Sequence, residues 1–111
     1  MSKLWPLQNS VVALALVFAV PTAAAAQDAA ERGRALVEDN CSACHAVDME
    51  GASPLRAAPP FRMLGQRYRL TDLEEALAEG IVTGHQSMPQ FVFEPDEVGA
   101  IIAYLQSIQR T

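Results

Sequence analysis

Both cysteines of this chain stand within four residues of each other, and a histidine follows directly: Cys41-Ser-Ala-Cys44-His45. A length of 111 residues allows one small domain. A domain of that size has a marginal core of its own and commonly relies on a staple. A Cys41–Cys44 disulfide would close a loop too short to restrain much unfolded chain. The CSACH group itself admits three chemistries: a thiol–disulfide switch, half of a metal site, or covalent attachment of haem. The rest of the sequence has to choose.

The first 26 residues read as a leader rather than as part of the domain. Lys3 supplies a positive start, Val11 to Val20 is an unbroken apolar run, and Pro21 leads into a small-residue string ending Ala24-Ala25-Ala26. That order is the pattern of a secretory signal peptide with an A-x-A cleavage site. Val11 to Ala26 is also shorter than the roughly 20 apolar residues a bilayer-spanning helix needs. Cleavage after Ala26 leaves residues 27–111 as the domain. This part holds all 13 acidic residues and seven of the eight basic ones, and no lysine. Such an acidic domain has no electrostatic reason to bind nucleic acid or anionic lipid, and no stable membrane insertion is expected of it. Export places it in the periplasm.

Asp28-Ala-Ala-Glu31 has the form of a capping box and predicts a helix from about Ala29 to Asn40. Gly51, Ser53, Pro54, Pro59 and Pro60 then punctuate a loop over 46–60. Thr71-Asp-Leu-Glu74 predicts a second helix to about Glu79, with Gly80 as its left-handed stop. Residues 81–94, with Gly84 and Pro89, read as irregular. Pro95 suits a first helical position, followed by Asp96 and Glu97 where the helix dipole favours acids. Val98, Ile101, Ile102, Leu105 and Ile108 form one apolar stripe at helical spacing. No segment alternates long enough for a strand. The expected fold is all-α, with loops of a length that usually has a functional reason.

A zinc site needs about four ligands, usually in two separated pairs. Beyond the CSACH group only His85 and carboxylates remain, without paired spacing. A thioredoxin-like switch wants its two cysteines at the start of a helix in a βαβ setting, whereas these follow a helix in a chain without strands. C-x-x-C-H as a haem attachment accounts for all three residues together. Two thiols bond the porphyrin edge, the adjacent His45 becomes an axial iron ligand, and the macrocycle completes the core.

For the second axial position, Met49 lies too close to His45 to reach the opposite porphyrin face. Met63 reads better as a core methionine. Met88, in GHQSMPQF, stands 43 positions beyond His45 with a helix between, which gives the chain room to cross. It is the favoured ligand, with His85 a lesser candidate. A His/Met pair raises the reduction potential and fills both axial sites, which leaves one-electron transfer as the chemistry.

The sequence resembles the class I c-type cytochromes, the small bacterial electron carriers, over nearly all of residues 27–111. Gly33-Arg-Ala-Leu-Val37 is similar to the family's N-terminal helix signature, and Tyr104 matches the aromatic of the C-terminal helix that packs at the crossing. Ala57-Ala-Pro-Pro-Phe61 resembles the family's Gly-Pro-x-Leu segment, and Met88-Pro89 matches its distal motif. The resemblance implies a cytochrome c-like fold of about three to four helices round one covalently bound haem c. It also implies that the Pro59 carbonyl accepts a hydrogen bond from His45. Phe61, Leu64, Phe91 and Phe93 would keep water away.

Two departures stand out. Val37 occupies a position usually aromatic, which predicts a looser helix crossing. The domain has no tryptophan, because Trp5 is in the leader. Tyr68, Arg56, Arg62, Arg67 and Arg69 are then candidates for the haem propionates, or simply a solvated basic face.

The expected function is electron transfer between larger redox proteins, by a monomer that is a carrier rather than an enzyme. Two other readings remain: a dedicated haem subunit of one oxidoreductase complex, and a haemless exported thiol protein.

Overall fold

The computed structural model describes residues 2–4, 11–18, 22–80 and 87–110. His85 and Gly84 lie outside the described residues, as do several positions of the leader. Three α-helices and two 3-10 segments are formed, with no strand among the described residues. The helices are α1 (Thr22–Cys41), α2 (Leu73–Glu79) and α3 (Pro95–Ile108).

Helix α1 starts seven positions before the expected Ala29, and Asp28 lies inside it rather than at its cap. The cause is local. Alanine has the highest helix propensity, so the string Ala23–Ala26 propagates the helix toward the N-terminus. Residues 23–28 are nevertheless exposed, and burial begins only at Ala29 and Ala30. The packed part of α1 therefore starts close to the expected boundary, and the first turns are helical by propensity alone.

Helix α3 opens with Pro95 at its first turn, after Glu94 in extended conformation. Asp96 there accepts a 2.8 Å bond from Arg32 of α1. That partner holds the Asp96 carboxyl below its usual range. The buried face carries the predicted stripe and two residues more, Ala100 and Tyr104. It is wider than the stripe because α3 packs against both α1 and the 3-10 segment Phe61–Gln66. Where α1 meets α3, Gly33 abuts the Ala100 carbonyl, and Val37 is fully buried. Burying a valine side chain stabilises a fold by about 1.5–3 kcal/mol. The missing Cβ of Gly33 lets the two backbones close at this crossing, with the Val37 side chain packed inside it.

The segment Phe61–Gln66 has no helical signature in its sequence, and it is held from a distance. Gln109, just past α3, donates to the Phe61 carbonyl (2.8 Å) and the Leu105 carbonyl (2.7 Å). Its other side-chain atom accepts from the Gly65 N–H at 2.6 Å. The Arg110 N–H adds a bond to the Arg62 carbonyl (3.0 Å).

A short 3-10 turn, Leu70–Asp72, leads into α2. The helix ends at Gly80, whose φ of 79° is a left-handed conformation that suits glycine. The Phe93 N–H donates to the Leu77 carbonyl at 2.9 Å, which fastens the approach to α3 onto α2. None of the residues of α2 is fully buried. Leu73, Leu77 and Ala78 lean on the core from one side and stay partly open.

Candidate functional site

The CSACH group sits where α1 ends. The chain makes one further turn there, with the His45 N–H bonded to the Cys41 carbonyl at 2.9 Å and the Cys44 N–H to the same oxygen at 3.2 Å. Cys41, Cys44 and His45 are each half-buried, so this turn has one open side. Burial pushes the Cys41 thiol up to about 11. A thiol–disulfide switch needs the opposite, a thiolate favoured near neutral pH. Among the described residues no group of three or more His, Cys, Asp or Glu side chains could hold a metal ion.

The His45 ring is oriented from two directions. Its Nδ1 lies 2.8 Å from the carbonyl oxygen of Pro59. A carbonyl can only accept, so Nδ1 is the donor, and in the neutral ring Nε2 is the nitrogen left to bind a metal ion. Phe61 packs on the ring at 4.7 Å between centroids, tilted by 39°. Pro59 and Phe61 owe their places to the loop 46–60, which folds back so that the Phe61 N–H reaches the Ala46 carbonyl at 2.9 Å. The loop thus brings Pro59 and Phe61 onto His45.

Met88 lies in the exposed stretch 87–90, and 39% of its surface is open. Phe91 and Phe93 follow, stacked at 5.6 Å, with Phe93 buried and Phe91 half-buried. Met49 is exposed, its carbonyl taken by the Arg110 guanidinium at 2.9 Å, and Met63 is half-buried.

Two features show that these residues fit a bulky apolar group bearing carboxylates. Helix α2 and Phe91 present large apolar side chains that the protein alone leaves partly uncovered. On the 3-10 segment, Nη1 of Arg62 is buried without a hydrogen-bond partner among the described residues. A buried guanidinium nitrogen without an acceptor is costly, and a carboxylate is its natural complement. The other candidates behave differently. Arg69 pairs with Asp72 at 3.2 Å, while Arg56, Arg67 and Tyr68 are exposed.

Sequence reasoning missed two side chains that touch the site. Ser53 Oγ accepts from the Ala46 N–H at 3.0 Å. The Tyr104 hydroxyl donates to the Val47 carbonyl at 2.6 Å. Neither bond has a local signature, because each partner is chosen by the fold.

The family model described as Cytochrome c matches residues 30–109. No curated protein and no solved structure gives a match.

Proposed function

The chain belongs to the cytochrome c family, and on that footing we propose that it is an exported mono-haem electron carrier whose iron is held by His45 and Met88. Family membership implies covalently bound haem c and electron transfer. The observation that supports the finer reading best is the bond between His45 Nδ1 and the Pro59 carbonyl. It fixes the ring, leaves Nε2 for the metal and makes the imidazole a stronger donor, as partners of metal-bound histidines do.

Each residue then has a defined task. Cys41 and Cys44 would hold the group covalently, and His45 and Met88 are the residues that would ligate its iron. Arg62 takes a propionate. Phe61, Leu64, Phe93 and the apolar side of α2 exclude water. The bound group supplies a reversible one-electron couple. Ligation by two protein side chains would leave no place for a substrate at the metal, which makes the chain a carrier rather than an enzyme on this reading.

Its partners are larger redox proteins. An open groove lined by Arg67, Tyr68, Arg69, Gln109 and Arg110 carries no carboxylate, while α2 and its lead-in carry Asp72, Glu74, Glu75 and Glu79. This asymmetry in an acidic chain gives a dipole that steers approach. Residues 1–26 are read as a leader removed after Ala26, which places the carrier in the periplasm. The exposure of residues 23–28 leaves that bond outside the core.

Intact mass of the exported protein under denaturing conditions tests the reading. The expected value is the chain from Gln27 plus one haem. An apo mass from a host able to attach haem overturns it and brings back the exported thiol protein.

A further inference from the structure

Most of the backbone polar atoms of the four residues Cys44 to Val47 are hydrogen-bonded. The Leu55 N–H donates to the Cys44 carbonyl at 3.0 Å, and the Phe61 N–H to the Ala46 carbonyl at 2.9 Å. Ser53 Oγ accepts from the Ala46 N–H at 3.0 Å. The buried Tyr104 hydroxyl, 57 residues away on α3, donates to the Val47 carbonyl at 2.6 Å. The same tyrosine stands at the α1–α3 crossing, where its Cβ is 2.9 Å from the place a Gly33 side chain would begin. A buried tyrosine usually finds some partner for its hydroxyl. Here that partner, and the partner of Ser53, both lie within two residues of His45.

We propose that Tyr104 and Ser53 are positioning residues for His45: they fix the stretch that carries the axial imidazole, so that its Nδ1 stays against the Pro59 carbonyl while the iron changes charge. This rests on the electron-carrier reading. The Pro59 bond makes the imidazole a good donor only while the ring sits 2.8 Å from that oxygen. Without the Tyr104 or Ser53 anchor the ring moves off, the donor weakens, and the ferric state loses more than the ferrous state does. The reduction potential then rises. A ligand that moves when the iron changes charge also slows self-exchange.

The test uses the haem-loaded protein with Tyr104→Phe, Ser53→Ala and Ser53→Thr. Tyr104→Phe keeps the ring in the core and removes one hydroxyl, while Ser53 is in a loop outside the helix crossing. Three quantities are measured: reduction potential, the paramagnetically shifted proton signals of the axial histidine, and melting temperature. Tyr104→Phe and Ser53→Ala are each expected to raise the potential and shift the histidine signals, and Ser53→Thr to restore both. Loss of melting temperature with potential and histidine signals unchanged would show purely structural roles and overturn the inference alone. A wild-type protein without covalent haem overturns the electron-carrier reading and this inference with it.

Discussion

Gly33 of α1 faces the backbone of Ala100 of α3 so closely that a Cβ on the glycine would fall 1.9 Å from the Ala100 carbonyl oxygen. The obstacle is backbone and cannot rotate away. Alanine is favoured over glycine inside a helix by about 1 kcal/mol. Overpacking a core usually costs about 1–3 kcal/mol, and more when nothing can yield. The clash therefore wins, and Gly33→Ala is expected to destabilise the protein by about 2 kcal/mol or more. For a domain of this size that is a fall in melting temperature on the order of 10 °C. A thermal melt followed by circular dichroism decides it, and an unchanged midpoint would mean that the helices cross further apart.

That contact also shows what the sequence could and could not disclose. Helix α3 was readable from local signals alone, because Pro95, the two acids after it and a periodic stripe all agree. The start of α1 was not, because two local signals compete. The Asp28–Glu31 box marks a start that the preceding alanines, all strong helix formers, override. The segment Phe61–Gln66 had no signal of its own. Its conformation depends on Gln109, which reaches it across 44 and 48 positions of chain. At the site, the spacing of CSACH indicated covalent chemistry because that spacing is itself the chemical requirement. Ser53 and Tyr104 left no such mark, since a serine in a Gly/Pro loop and an aromatic on a buried helix face both have commoner uses. The burial of Arg62 Nη1 without a partner among the described residues is set by the fold, because a run of arginines looks alike in sequence whether buried or solvated.

The raised Cys41 thiol predicts a pH dependence that only one chemical form can have. A thiol whose folded value is about 11, against an ordinary value of 9.0, binds its proton more tightly when folded. Its contribution to stability is fully present below about pH 9 and is lost as pH climbs through about 11. Tyr104 is also raised, mainly by burial, so its contribution is likewise lost in the alkaline range, whether or not a thioether is formed. The thioether-linked protein has no Cys41 proton to lose. Denaturation at pH 8, 9, 10 and 11 should show a steeper alkaline fall for the unlinked chain than for the linked one. Equal slopes would mean that Cys41 is more hydrated than its surroundings indicate.

Met88 as an axial ligand carries its own prediction. Replacing it with alanine removes a thioether that favours ferrous iron, so the potential should fall by an appreciable part of the roughly 0.8 V span that axial ligation controls. The freed position should bind added imidazole or cyanide, which shows as a shift of the main absorption band. His85 is three positions away in sequence and is the natural replacement. The double variant Met88→Ala, His85→Ala should therefore take up external ligand more readily than Met88→Ala. An unchanged potential with no uptake of either ligand removes Met88 from the iron.

Arg62 offers a contrast of sign. Its Nη1, buried without a partner among the described residues, is a burden on the protein alone and an asset once a carboxylate meets it, because breaking a buried ion pair costs about 3–5 kcal/mol. Arg62→Met keeps much of the apolar stem and removes the charge. In the haem-loaded protein this should lower stability, since the propionate loses its partner. It should also lower the reduction potential, since a cation near the haem disfavours the more positive ferric state. Arg62→Lys should retain most of the potential but less of the stability, because an ammonium keeps the charge without the planar fork that matches a carboxylate. Arg56→Met serves as the control: the loss of an exposed arginine of the same run should change both quantities little. Matching shifts in Arg62→Met and Arg56→Met would assign the effect to overall charge and return Arg62 to the solvated face.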